Sequence, residues 1–216
     1  MKRFVLFLLV LGVGVSLFAQ VQLPEYHFAS GSWFFIGDRL YQNDAGARLA
    51  KVNIRAPQSG PMIYEFNARY EDGAQDGHAG FGIHIFVDNV INSASWGSGV
   101  SYLLWLNYDE HPITKGIPAG FSAQVYRSYT NSRMDLVESV DLNQYAYLLT
   151  DENLSQPVPF RIWVDGNTGE VRIYDPTDPD DGFYFYYFID RKDLPLRGNW
   201  VSLRTNGVKL SFGLGL

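Results

Sequence analysis

The residues best equipped for chemistry sit at alternate positions of short segments. In residues 62–70, Tyr64, Phe66, Ala68 and Tyr70 fall on one side and Glu65, Asn67 and Arg69 on the other, because successive strand side chains point to opposite faces. The same period in residues 80–87 sets Gly82, His84 and Phe86 opposite Phe81, Ile83 and Ile85. It sets Trp105 and Asn107 opposite Leu104 and Leu106 in residues 101–108, and pairs Gln124 with Tyr126 in residues 121–127. A surface that mixes aromatic rings with amides and charges can stack on sugar C–H groups and hydrogen-bond hydroxyls. The plainer expectation for the same residues is the polar outer face of an antiparallel sheet.

Acid–base cleavage of a glycosidic bond needs two carboxylates, one as acid and one as nucleophile or base. Glu65 stands alone on its strand, a weak catalytic candidate, and a solvated ion pair with Arg69 on the same face is the favoured reading of it. Glu138 and Asp141 lie three apart where a strand gives way to a turn. The segment at 175–182 clusters Asp175, Asp178, Asp180 and Asp181, oxygen donors that would suit Ca²⁺. Its spacing is not that of an EF-hand, and prolines among aspartates also make an ordinary solvated turn. His27, His78, His84 and His111 show no zinc-binding spacing. There is no G-x-S-x-G elbow, and no helix follows Gly80-Phe81-Gly82, so a dinucleotide loop is excluded. No catalytic set emerges, and Ca²⁺ is the one cofactor the residues suggest.

The elements that carry these residues are strands. The chain is 16% aromatic, with 14 Tyr, 15 Phe and 21 Gly, a balance that favours strands and turns. Further strands are expected at 32–36, 39–42, 51–55, 134–140, 160–164, 170–174, 183–189, 200–204 and 208–212. Pro57 is expected to end the segment at 51–55, and the aromatic run at 183–188 to be a central, mostly buried strand. One short helix is expected at 142–149. Recurrent turns without interleaved helices predict an all-β, two-sheet antiparallel sandwich rather than βαβ units.

At the N-terminus, Lys2 and Arg3 precede an apolar run over residues 4–15, and Ala19 offers a small residue at a cut before Gln20. That is the pattern of a cleaved signal peptide over residues 1–19, with one domain over 20–216. The expected location is therefore periplasmic or extracellular, with no membrane span left after cleavage. The chain has no cysteine, so neither disulfides nor a thiol-linked lipid support it. Its formal charge of −6 makes it a poor partner for nucleic acid or anionic lipid.

Several segments, in order, resemble the concanavalin A-like lectin/glucanase superfamily, especially its laminin-G-like and sugar-hydrolase-associated bacterial jelly rolls. They are Trp33 with Gly37-Asp38-Arg39-Leu40-Tyr41-Gln42, Tyr64-Glu65-Phe66-Asn67-Ala68-Arg69, and His78-Ala79-Gly80-Phe81-Gly82-Ile83. Gly99-Val100-Ser101-Tyr102, Arg161-Ile162-Trp163-Val164-Asp165-Gly166-Asn167 and residues 198–207 follow. The ending Ser211-Phe212-Gly213-Leu214 lacks the Asp-Asn expected after the Phe. The resemblance implies a jelly roll preceded by a helical leader, and it spans most of residues 30–212. It also implies that Glu65, Asn67, Arg69, His84, Trp105, Asn107, Gln124 and Tyr126 could line one concave sheet as a carbohydrate-binding surface. The superfamily's glucanases place their carboxylates as Glu-x-Asp-x-x-Glu, which this chain lacks, so a non-catalytic lectin-like domain is the leading expectation. Two alternatives stand beside it: a glycoside or keto-sugar hydrolase using Glu65, and a structural envelope protein that binds other proteins.

Overall fold

The computed structural model describes residues 24–74, 77–175 and 182–214. The segment expected to be the leader, residues 1–19, lies outside them. Fourteen strands are described. They are β1 (Tyr26–Ser30), β2 (Trp33–Ile36), β3 (Arg39–Gln42), β4 (Ala50–Ser59), β5 (Pro61–Gly73), β6 (His78–Val87) and β7 (Ser101–Asp109). Next come β8 (Gly120–Ser128), β9 (Met134–Asp141), β10 (Val158–Asp165), β11 (Glu170–Tyr174), β12 (Phe183–Phe188), β13 (Arg197–Asn206) and β14 (Val208–Gly213). Instead of one helix at 142–149 there is a 3₁₀ turn, Asn143–Leu148, and then one α-helical turn, Asp151–Leu154. Thr150 separates the two because its hydroxyl accepts from the Asn153 N–H at 3.3 Å and starts the α turn afresh.

The strands form two seven-stranded antiparallel sheets packed as a sandwich. The front sheet runs β1-β4-β13-β6-β7-β8-β9, and the back sheet β12-β11-β10-β5-β14-β3-β2. Alternation in each strand delivers one apolar set to the space between them. Val52, Ile83, Ile85, Leu104, Val125 and Leu203 come from the front, and Leu40, Ile162, Val171, Leu210 and Phe212 from the back. Phe212 sits at the centre of an aromatic cluster, its ring centroid 6.2 Å from Trp33, 6.3 Å from Phe66 and 6.1 Å from Phe81. Phe81 comes from the front sheet and the other three from the back, so the cluster ties the layers together.

Three local expectations change. The segment expected at 51–55 does not stop at Pro57: β4 continues to Ser59, paired there with β13 alone. Pro57 lies where β1 no longer pairs, so its missing N–H costs no ladder bond. Phe86 does not share a face with His84. It has φ +53°, its N–H donates to Gln58 Oε1 at 2.8 Å, and the bulge opposite Trp200 turns its ring into the core. The aromatic strand β12 is an edge strand rather than a central one, with Phe185 buried and Tyr186 and Phe188 exposed.

Candidate functional site

The eight candidate residues do not form one surface, because β5 pairs with β10 and β14 in the back sheet. The core therefore separates Glu65, Asn67 and Arg69 from the other five. On the back sheet Glu65 accepts from Arg161 Nε at 2.7 Å, and Asn67 Oδ1 accepts from Arg39 Nη1 at 2.6 Å. Arg69 donates to Glu71 at 2.9 Å and to the Tyr41 hydroxyl at 3.1 Å. The expected Glu65–Arg69 pair gives way to these closer partners, since four strand residues span about 13 Å. The β10 residue opposite Glu65 is Arg161, not a second carboxylate.

His84, Trp105, Asn107, Gln124 and Tyr126 do come together, on the outer face of the front sheet. Register makes the arrangement explicit. One row across six strands reads Lys51, Arg204, Gly82, Trp105, Gln124 and Ser139. The next reads Asn53, Ser202, His84, Leu103, Tyr126 and Leu136. Side chains in a row stand close enough to interact directly. Trp105 Nε1 donates to Asn107 Oδ1 at 3.0 Å, Tyr126 to Gln124 Oε1 at 2.7 Å, and Gln124 Nε2 to Ser122 Oγ at 3.0 Å. One glycine of β6 makes room for the flat indole. A Cβ on Gly80 would lie within 2.6 Å of Trp105 Cε2 and 2.8 Å of its Nε1.

Much of this face is covered by the segment at 88–100, which joins β6 to β7. Lys51, 1% exposed, holds it down: its ammonium donates to Gly97 O at 2.6 Å, Ser95 Oγ at 2.8 Å and Ser95 O at 3.1 Å. Asn53 Nδ2 reaches Ile91 O at 3.4 Å, and the Ser98 hydroxyl meets that of Ser202 at 3.2 Å. From the other side Asn131 accepts from the Gly97 N–H through its carbonyl and from the Gly99 N–H through Oδ1. These bonds satisfy backbone groups that would otherwise be buried without partners.

The charged groups under the segment are cations. Arg204 donates from Nη1 to Trp96 O at 2.6 Å, and its guanidinium carbon lies 4.7 Å from the Trp96 ring and 5.4 Å from that of Trp105. It is thus stacked against two aromatic rings. Burial lowers its pKa to about 10, an effect the Tyr126 hydroxyl partly opposes. Burial, reinforced by the Arg204 charge, brings Lys51 down to about 7. His84 is fully buried, and desolvation with the Lys51 and Arg204 charges holds it well below the usual imidazole range. Ser101 gives its proton to Ser98 O at 2.7 Å and so accepts from His84 Nδ1 at 3.1 Å. That bond assigns the proton to Nδ1 and leaves Nε2 a buried acceptor without a partner. Trp96 alone among the large aromatics of this cluster reaches solvent substantially, at 46% exposure.

Sequence reasoning missed Lys51, Arg204 and Trp96. The alternation in Lys51-Val52-Asn53-Ile54-Arg55 was the available signal for the first of them. Among the described residues no group of three or more His, Cys, Asp or Glu is placed to hold a metal. Of the calcium candidates, Asp178, Asp180 and Asp181 lie outside the described residues, and the Asp175 N–H donates to Gly182 O at 3.1 Å.

Two stacked seven-stranded antiparallel sheets make an all-β sandwich, the fold expected from the sequence, and solved structures share that fold. The chain superposes on the carbohydrate-binding module CBM66 from Bacillus subtilis with TM-score 0.52 and 12% identity, over 87% of this chain and 91% of that one. A Bacillus subtilis protein of unknown function with a galectin-like fold matches with TM-score 0.54 and 11% identity, over 87% and 86%. The CBM2 module of the evolved Dit protein of Lactobacillus casei BL23 phage J-1 matches with TM-score 0.51 and 10% identity, over 85% and 77%. No family model and no curated protein matches the sequence.

Proposed function

We propose that this chain is an exported, non-catalytic carbohydrate-binding domain that takes its ligand on the outer face of the front sheet, around Trp96. The observation that carries the reading is the stack of Trp96, Arg204 and Trp105, with Trp96 exposed and Trp105 standing opposite Gln124, which Tyr126 bonds. An exposed indole fixed by a cation beneath it is a rigid platform for a sugar ring, and neighbouring hydroxyl and amide groups supply polar contacts. Solved neighbours that are carbohydrate-binding modules support the reading at the level of fold. The leader-like residues 1–19 support export. The test is a glycan array followed by titration of the best binder. Trp96→Ala is expected to weaken binding at least tenfold while leaving the circular dichroism spectrum unchanged. Silence across the array, or unaltered binding by the variant, would refute the proposal.

One feature of the back sheet favours a second reading, a structural envelope domain that binds proteins. Ile63, Trp163, Arg172 and Tyr186 form a row across β5, β10, β11 and β12, with Ile63 60% and Tyr186 44% exposed. Phe188 lies two residues along β12 and is also exposed. Exposed apolar rows of this kind mark interaction surfaces. Cross-linking in the native envelope should capture a protein that a combined Ile63→Lys and Tyr186→Lys variant no longer captures. Equal capture by both would remove this reading.

A further inference from the structure

The chain carries more carboxylates than cations, 23 Asp and Glu against 17 Lys and Arg. The two central rows of the front sheet invert that balance, holding Lys51 and Arg204 and no Asp or Glu. Exposed Arg55 adds a third cation on the same face of β4, 5.4 Å from the Trp200 ring. Lys51 is fully engaged by the covering segment, which accounts for its presence. Arg204 is accounted for only in part, through the bond from its Nη1 to Trp96 O of the same segment. It is 3% exposed, and its Nε is buried without a partner. A buried cation that lacks a carboxylate is costly, and an apolar side chain of similar volume often serves stability as well or better. Its field, spreading through a medium less polarisable than water, reaches the surface above it with little attenuation. That surface is Trp96, one ring's thickness over the guanidinium.

We propose that the saccharide held on this face is anionic, bearing carboxylate or sulfate groups, and that Arg204 supplies the charge that selects it. The inference rests on the glycan-binding reading above and adds the class of ligand. The overall charge of −6 repels polyanions at long range, so a preference for them must come from this local field.

The experiment compares binding of the purified chain to polygalacturonate and alginate, to dextran sulfate, and to neutral dextran, xylan and mannan, at 20 and 200 mM NaCl. Polygalacturonate and alginate report on carboxylate, and dextran sulfate on sulfate. At least one acidic polymer is expected to bind about tenfold more tightly than every neutral one at low salt, and to weaken severalfold at high salt. Arg204→Met should erase the preference, and Arg204→Lys should retain part of it. If circular dichroism shows that Arg204→Met does not fold, the lysine variant and the salt dependence of the parent decide. Neutral polymers binding as tightly as acidic ones, or acidic binding indifferent to salt, would overturn the inference and leave the glycan-binding reading standing. Binding of none of the polymers, in either class, would remove both.

Discussion

Replacing Lys51 with methionine is expected to flatten the dependence of stability on pH between about 7 and 9.5 and to free the segment at 88–100. Burial and the Arg204 charge lower the Lys51 pKa in the folded chain from 10.5 to about 7. Above 10.5 the amine is neutral in both states and costs nothing. As pH falls from 10.5 towards 7 the unfolded chain takes up a proton that the folded chain refuses, so stability is lost across that window. Below 7 both states are protonated and the loss is complete. The steepest slope is about 1.4 kcal/mol per pH unit, and the rise from pH 7 to 9.5 amounts to at most about 3 kcal/mol. The window avoids the groups that face Lys51. His84, whose pKa is depressed, gives up its stabilising contribution only below 6.5, and Arg204 releases its proton only near 10. Urea unfolding at a series of pH values reads the difference between parent and variant. Parallel curves for the two would sink the assignment.

The same substitution removes the donor from Ser95 O, Ser95 Oγ and Gly97 O. Gly97 O keeps the Ser95 hydroxyl as donor at 2.9 Å, but Ser95 O loses the Lys51 ammonium. A buried acceptor so stranded costs roughly 1–3 kcal/mol, so the segment should open to water rather than keep it dry. An opening made easier by about 2 kcal/mol corresponds to roughly thirtyfold faster amide exchange. Hydrogen exchange at the Gly97 and Gly99 amides is the direct readout, since each is bonded to Asn131 only while the segment is seated. Protection unchanged from the parent would mean that Asn131 and Ser202 hold the segment without Lys51.

Period-two alternation made most of the strands legible, because burial on one side of a sheet leaves a direct mark on sequence. It assigned Glu65, Asn67 and Arg69 correctly to an outer face, as it did Trp105 and Gln124. It could not say which sheet each strand joins. That depends on pairings such as β13 with β4, between residues about 150 positions apart, and a strand reads alike in either layer. Phe86 was misread for a different reason, since one residue of positive φ resets the alternation after it. The site itself was half legible. Lys51 and Arg204 occupy ordinary polar positions of their strands, and nothing in their neighbours announces burial. The burial comes from the Ser- and Gly-rich segment at 88–100, whose composition reads as a solvated connection.

A change of one methyl group beneath the site should separate fold from function. Gly82→Ala places a Cβ 2.9 Å from Trp105 Cα and closer still to the Leu104 carbonyl oxygen. Both obstacles are backbone of the adjoining strand, so β6 and β7 must part to admit it. Forced overpacking of a rigid region costs about 3 kcal/mol, which for a domain of this size lowers the melting temperature by about 10 °C. Gly80→Ala meets instead the Trp105 indole, a side chain that can rotate away. Its stability cost should be smaller, about 1–2 kcal/mol. The displaced ring loses its bond to Asn107 and its place beside Arg204, and both effects bear on the platform rather than on the sheet. Calorimetry, tryptophan fluorescence and glycan titration on the two variants read these apart. The Gly82 variant should melt early. The Gly80 variant should melt near the parent, emit at longer wavelength as Trp105 meets water, and bind glycan at least tenfold more weakly. A Gly82 variant as stable as the parent would show that the two strands can part without cost. Undiminished binding by the Gly80 variant would show that Trp96 needs neither Trp105 nor the flat floor beneath it.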